Sequence, residues 1–144
     1  MLVWQPPNRF TIKYRGKELK QHSLGQRASA LILFILSQQN NDLVIIDQPE
    51  DDLDNQTIYA DVIKLICEMK GKTQFIFATH NANFPVLGDA EQVLACKYAN
   101  DQISIRTGGV DSAVIQQEIV NIMEGGEEAF QRRKEIYQIW KPRN

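Results

Sequence analysis

The chain has 144 residues, 43% of them hydrophobic and 24% charged, with a formal net charge of −2. That balance suits one globular domain; it excludes a disordered chain and the strongly cationic footprint of a general nucleic-acid binder. The longest apolar run falls short of the about 20 residues that a membrane span needs, and Trp4-Gln5-Pro6-Pro7 is no signal peptide, so a cytoplasmic location is expected.

Residues 1–8 read as a lead-in, because Pro6-Pro7 suits neither a helix interior nor a central strand. Phe10 to Tyr14 alternates apolar and polar residues and predicts a half-exposed strand closed by Arg15-Gly16, with a polar connection over 17–21. From Gln26 to Gln39, Ala28, Leu31, Ile32, Ile35 and Leu36 keep helical spacing, and Ser23 is placed to cap that helix. The same Ser23-Leu24-Gly25-Gln26 geometry has a second use. A hydroxyl, a glycine N–H open to close approach and a helix N-terminus together suit a phosphate.

A polar turn over 38–42 leads into Leu43-Val44-Ile45-Ile46-Asp47, a continuous aliphatic run expected to be a strand buried on both faces of a parallel sheet. Asp47 falls at its carboxyl end, where open α/β sheets bind ligands. Glu50, Asp51, Asp52 and Asp54 follow within seven positions. Such a concentration of carboxylates predicts either a solvated acidic loop or a site that holds a cation. Asp54 or Asn55 caps a helix to about Met69, with Ile58, Val62, Leu65, Ile66 and Met69 on one face, and Gly71 ends it. Phe75 to Ala78 is a second short strand, with Thr79-His80-Asn81 at its end. Strand, helix and strand at this spacing predict a right-handed βαβ crossover, which brings Asp47 and His80 to one sheet edge.

Asn83 to Glu91 is irregular. Residues 92–98 and 102–106 read as an antiparallel pair around Ala99-Asn100-Asp101. A helix from Asp111 to Met123 stops at Gly125-Gly126, and a last one runs from Glu127 to about Trp140, before Pro142. Its Arg132-Arg133-Lys134 run reads as a solvated face. Cys67 and Cys96 lack metal-ligand spacing and are expected to be buried thiols.

In order and spacing these motifs resemble the carboxyl-terminal half of an ATP-binding-cassette (ABC-type) ATPase head. Ser23-Leu24-Gly25-Gln26 is similar to the signature motif, with His22 where that motif normally has Leu. Leu43 to Asp47 resembles the Walker B strand, Leu53-Asp54 the D-loop and His80 the switch histidine. The phrases 46–55, 78–83 and 88–91 resemble SMC/RecF-like bacterial ATPases, especially the TrlF type, in which such a head accompanies a predicted PHP-type phosphoesterase domain. The resemblance covers roughly residues 10–125. It implies a single α/β domain over 1–144, P-loop NTPase-like, with a largely parallel sheet core and flanking helices.

It further implies ATP and Mg²⁺ as cofactors, with Asp47 holding the metal and its waters and His80 contacting the γ-phosphate. Ser23, Gly25 and Gln26 would meet the nucleotide of an opposing subunit, and Asp54 would line a head–head homodimer interface, in work on nucleic acid. Two departures stand out. No G-x-x-x-x-G-K-[ST] loop is present, so a Walker A-containing segment or subunit is expected as partner, the chain being a fragment or one part of a split ATPase. Gln48 stands where most such ATPases have the Glu that polarises water, leaving Glu50 or Asp51 as possible carboxylates. The rival expectations are a non-hydrolysing dimerisation module and a metal-dependent nuclease or phosphoesterase built on the 47–54 acids.

Overall fold

The computed structural model describes residues 10–36, 38, 41–51 and 53–140. The predicted lead-in over 1–8, part of the 38–42 turn, Asp52 and Pro142 lie outside them. Strands β1 (Lys13–Tyr14) and β2 (Lys17–Glu18) form a hairpin over Arg15-Gly16. The predicted strand is thus shorter than 10–14, and part of the polar connection is its partner. Both turn residues have positive φ, 48° at Arg15 and 79° at Gly16, the geometry a two-residue hairpin favours. Asp61 holds the hairpin down by accepting from the Arg15 guanidinium at 2.5 Å and the Tyr14 hydroxyl at 3.2 Å.

Helix α1 (Leu24–Leu36) begins two residues earlier than predicted. The core lies between it, β3 (Leu43–Asp47), β4 (Gln74–Ala78) and the long helix that joins those strands. That helix, α2, has a helical first turn Asn55–Thr57, a π-helical middle Ile58–Ile63 and a regular end Lys64–Met69. The widened middle turn puts Ile58, Val62 and Ile63 into the core together with Leu36, Val44, Leu53 and Phe84.

The predicted crossover forms a parallel pair in which Val44 lies opposite Phe75, Ile46 opposite Phe77 and Asp47 opposite Ala78. One expectation fails here. The β3–β4 pair is covered on one face only, as Val44 is 7% exposed while Ile45, on the opposite face, is 66% exposed. Leu43 and Ile76 share that open face. The parallel part of the fold, among the described residues, is this one pair, not a larger sheet.

Beyond β4, Asn83–Leu87 makes a π-helical turn that buries Phe84 against Phe77, with ring centroids 5.1 Å apart. Strands β5 (Val93–Ala99) and β6 (Gln102–Gly108) form the predicted hairpin, with Asn100 and Asp101 both at positive φ in its turn. Helix α3 (Ala113–Met123) packs on it and buries Glu118, which pairs with Arg106 at 3.0 Å and with Lys97. Gly125 and Gly126, at φ 79° and 92°, turn the chain into α4 (Glu127–Ile139). The basic run on α4 is mostly exposed as expected, but Arg133 turns back to Glu124. Cys67 and Cys96 are exposed, not buried, because each lies on the solvent side of its element.

Candidate active site

Parallel in-register pairing ends both strands at one level, so Asp47 and the 79–81 segment emerge from the same edge. Side chains alternate along a strand. Asp47 therefore follows Leu43 and Ile45 onto the uncovered face, where its exposed carboxylate makes no hydrogen bond or ion pair with the described residues. Gln48 comes next at φ 46°, a left-handed conformation uncommon outside glycine, with its N–H bonded to the Ala78 carbonyl at 2.8 Å. That bond extends the β3–β4 ladder by one step, and the turn it forces sends Pro49–Asp51 into a short 3-10 helix.

The turn drives Glu50 inward. Its side chain is only 6% exposed. Oε1 accepts from the Thr79 hydroxyl and the His80 N–H, both at 2.7 Å, and lies 3.0 Å from His80 Nδ1. Oε2 is buried with no hydrogen-bond partner among the described residues. Burial alone would raise the Glu50 pKa, but the Thr79 hydroxyl and His80 N–H outweigh it and the net shift is downward. Glu50 is thus held as a carboxylate. His80 is largely exposed, its ring anchored at Nδ1.

The remaining acids have separate duties. Asp54 caps α2, accepting from the Thr57 N–H at 3.0 Å and the Thr57 hydroxyl at 2.7 Å. Those two bonds, the N–H first, hold its carboxyl below the ordinary value. Asp51 is exposed. Among the described residues the acidic stretch is therefore neither one solvated loop nor one metal cluster, and no group of three or more His, Cys, Asp or Glu there is arranged to hold a metal. Asn81 ties the segments together: its side-chain Nδ2 donates to Asn55 Oδ1 at 3.3 Å, and its side-chain Oδ1 accepts from the Asn83 N–H at 2.9 Å.

The signature-like segment has hydrogen bonds of its own. Ser23 and Gln26 cap α1 reciprocally, Gln26 N–H to Ser23 Oγ and Ser23 N–H to Gln26 Oε1, both at 3.3 Å. Arg27 clamps the preceding loop through the carbonyls of His22 at 2.9 Å and Lys20 at 3.1 Å. Gly25 is partly buried, and its carbonyl accepts from Ser29 Oγ at 2.9 Å. No hydrogen bond or ion pair links Ser23, Gly25 or Gln26 to Asp47, Gln48, Glu50 or His80 among the described residues. The site thus falls into two groups, Asp47–Gln48–Glu50–His80 with Asp54 nearby in sequence, and the helix start at 23–26. The clamping roles of Thr79, Asn81 and Arg27 escape sequence reasoning, since hydroxyls, amides and guanidiniums near a turn carry no spacing signal of their own.

Mg²⁺ prefers oxygen donors and takes one or two protein carboxylates together with phosphate and water. The available Asp47 carboxylate fits that need. The start of α1 is a helix N-terminus, a place that suits a phosphate.

The fold these elements build is α/β and P-loop NTPase-like. Residues 16–86, just under half of the chain, match the family described as "AAA domain, putative AbiEii toxin, Type IV TA system". A solved structure from work on ATP-driven dimerisation and DNA-stimulated activation of SMC ATPases is similar to the chain at a TM-score of 0.58 and 19% sequence identity. The similarity covers 73% of this chain and 65% of that one. No curated protein matches the sequence. No helix among the described residues is long and apolar enough to cross a membrane.

Proposed function

We propose that the chain is the signature, Walker B, D-loop and switch-histidine half of an ABC-type ATPase head of the SMC/RecF-like kind, closest to the TrlF type. Completed by a Walker A-bearing segment or subunit, it binds ATP and Mg²⁺ at a head–head dimer interface and couples ATP binding and hydrolysis to work on nucleic acid in the cytoplasm. The observation that carries this reading is the β3–β4 edge, where a free Asp47 carboxylate and an anchored, exposed His80 follow from the same end of a parallel pair. Asp47 would hold the metal, whose chemistry is to neutralise phosphate charge and orient water.

The open face of that pair supports the expected partner. Parallel strands normally have both faces covered, and Leu43, Ile45 and Ile76 leave one face apolar and exposed. That no hydrogen bond or ion pair links the 23–26 helix start to Asp47 or His80 among the described residues agrees with a nucleotide shared between two heads.

A second reading, a dimerisation module that binds ATP without hydrolysing it, is favoured by the acid positions. Gln48 cannot take a proton, and Glu50 is sequestered by three donors. Turnover by the completed head, with and without Asp47→Asn, separates the two.

The main test is in trans. Ser23→Arg or Gly25→Asp in the complete ATPase is expected to leave nucleotide binding by each monomer near normal and to abolish ATP-induced dimerisation and turnover. Size-exclusion chromatography with and without ATP reads the first effect. A Ser23→Arg protein that still dimerises with ATP reduces 23–26 to a helix cap, whose loss costs about 1 kcal/mol of stability.

A further inference from the structure

Glu50 commits one carboxylate oxygen, Oε1, to the residue that the ATPase reading places at the phosphate. An ionised carboxylate can only accept hydrogen bonds, and a neutral imidazole carries a single N–H. With Oε1 3.0 Å from Nδ1, the proton of a neutral His80 ring belongs on Nδ1. Nε2 is then a bare lone pair on an exposed ring. The backbone reinforces this choice. The His80 N–H and the Thr79 hydroxyl converge on the same oxygen, fixing the carboxylate from two further directions. The Thr79 hydroxyl in turn accepts from the Asn81 N–H at 3.0 Å, so the clamp spans all three residues of the segment.

We propose that Glu50 is a positioning residue that locks His80 in its Nδ1–H tautomer, so that Nε2 accepts a hydrogen bond from the attacking water instead of donating one to a phosphate oxygen. The role in water orientation rests on the ATPase reading; the tautomer does not. In this arrangement Glu50 compensates for Gln48. The carboxylate that no longer stands beside the water acts one step back, through an imidazole, and its burial keeps water from competing for Nδ1. Oriented imidazoles elsewhere use the same device, a carboxylate on one ring nitrogen setting the tautomer of the other.

The test is spectroscopic and needs no nucleotide. The chain has two histidines, His22 and His80, so His22→Gln assigns the ring signals unambiguously. Long-range ¹H–¹⁵N spectra of the ¹⁵N-histidine-labelled chain are recorded well above the ordinary histidine pKa of about 6.5. The expected result is a protonated Nδ1 and an unprotonated Nε2 at His80. Glu50→Gln retains that pattern through its amide oxygen, and Glu50→Ala moves the proton toward Nε2, the form free imidazole side chains prefer in water. A wild-type ring protonated at Nε2 overturns the proposal, and that measurement stands even if Glu50→Ala fails to fold. An unchanged tautomer in a folded Glu50→Ala chain overturns it equally. Because ATP is absent throughout, either failure leaves the trans test of the ATPase reading untouched. Failure of the trans test, with the tautomer as expected, leaves the Glu50–His80 lock in place and removes water as its ligand.

Discussion

Two adjacent residues of β3 should respond oppositely to the same substitution. Val44 is 7% exposed and faces Phe75 across the buried side of the pair, whereas Ile45 is 66% exposed on the open side. Threonine has nearly the shape of valine, so Val44→Thr opens no cavity; it buries a hydroxyl where the neighbours are apolar. That costs about 1–3 kcal/mol. Ile45→Thr is the larger chemical change, since it removes hydrocarbon as well as adding a hydroxyl. Most of that hydrocarbon already lies in water, and threonine keeps the β-branched shape a strand favours. Its cost should be about 0.5 kcal/mol or less, the range of ordinary surface changes. Urea unfolding followed by circular dichroism compares the two midpoints directly. Equal losses, or a larger one for Ile45→Thr, would mean that the face is covered in the folded chain and would refute the case for an open layer.

Further outcomes follow from single contacts. Asp47→Asn is expected to leave the thermal midpoint of the chain unchanged, because the carboxylate has no partner among the described residues; a large loss would make Asp47 a structural group. Gly88→Ala should lower stability by about 1–3 kcal/mol, read by the same unfolding curves, because a Cβ there would sit 2.3 Å from the Phe84 carbonyl oxygen, a backbone atom that cannot step aside. Glu50 and Asp54 both have pKa values lowered from 4.5 and 3.8, so their stabilising contribution is complete above those values and is lost as pH falls through the lower folded ones. Urea midpoints measured downward from pH 6 should therefore fall less steeply in the Glu50→Gln, Asp54→Asn double variant than in the parent chain; an identical slope would refute the assignment.

The sequence carried the parallel pair because its signals are local. An aliphatic run, a capped amphipathic helix and a second short run at crossover spacing leave few other arrangements, and the shared edge of Asp47 and His80 follows from them. The fate of the acids was less legible. Glu50 and Asp51 are neighbours with the same charge and the same composition around them, and only the left-handed turn at Gln48 decides that one goes inward and the other stays in water. The open face of β3 is not legible in the sequence for a related reason. Apolar residues on both faces report what a strand is suited to, not what lies against it, and Ile45 is as aliphatic as Val44 despite facing solvent.

Alternation along β3 also joins the two unfilled needs of the site. Residues 43, 45 and 47 share one face, so the layer that would cover Leu43 and Ile45 must arrive beside the Asp47 carboxylate. In the proposed ATPase that layer brings the phosphate-binding loop. Apolar burial would then hold the loop in place, and Asp47 would hold the metal that neutralises phosphate charge there. Assembly and nucleotide binding become thermodynamically linked: a ligand that binds only the assembled head stabilises the assembly by mass action. Under the proposed function, the exposed apolar face and the Asp47 carboxylate would belong to one interface.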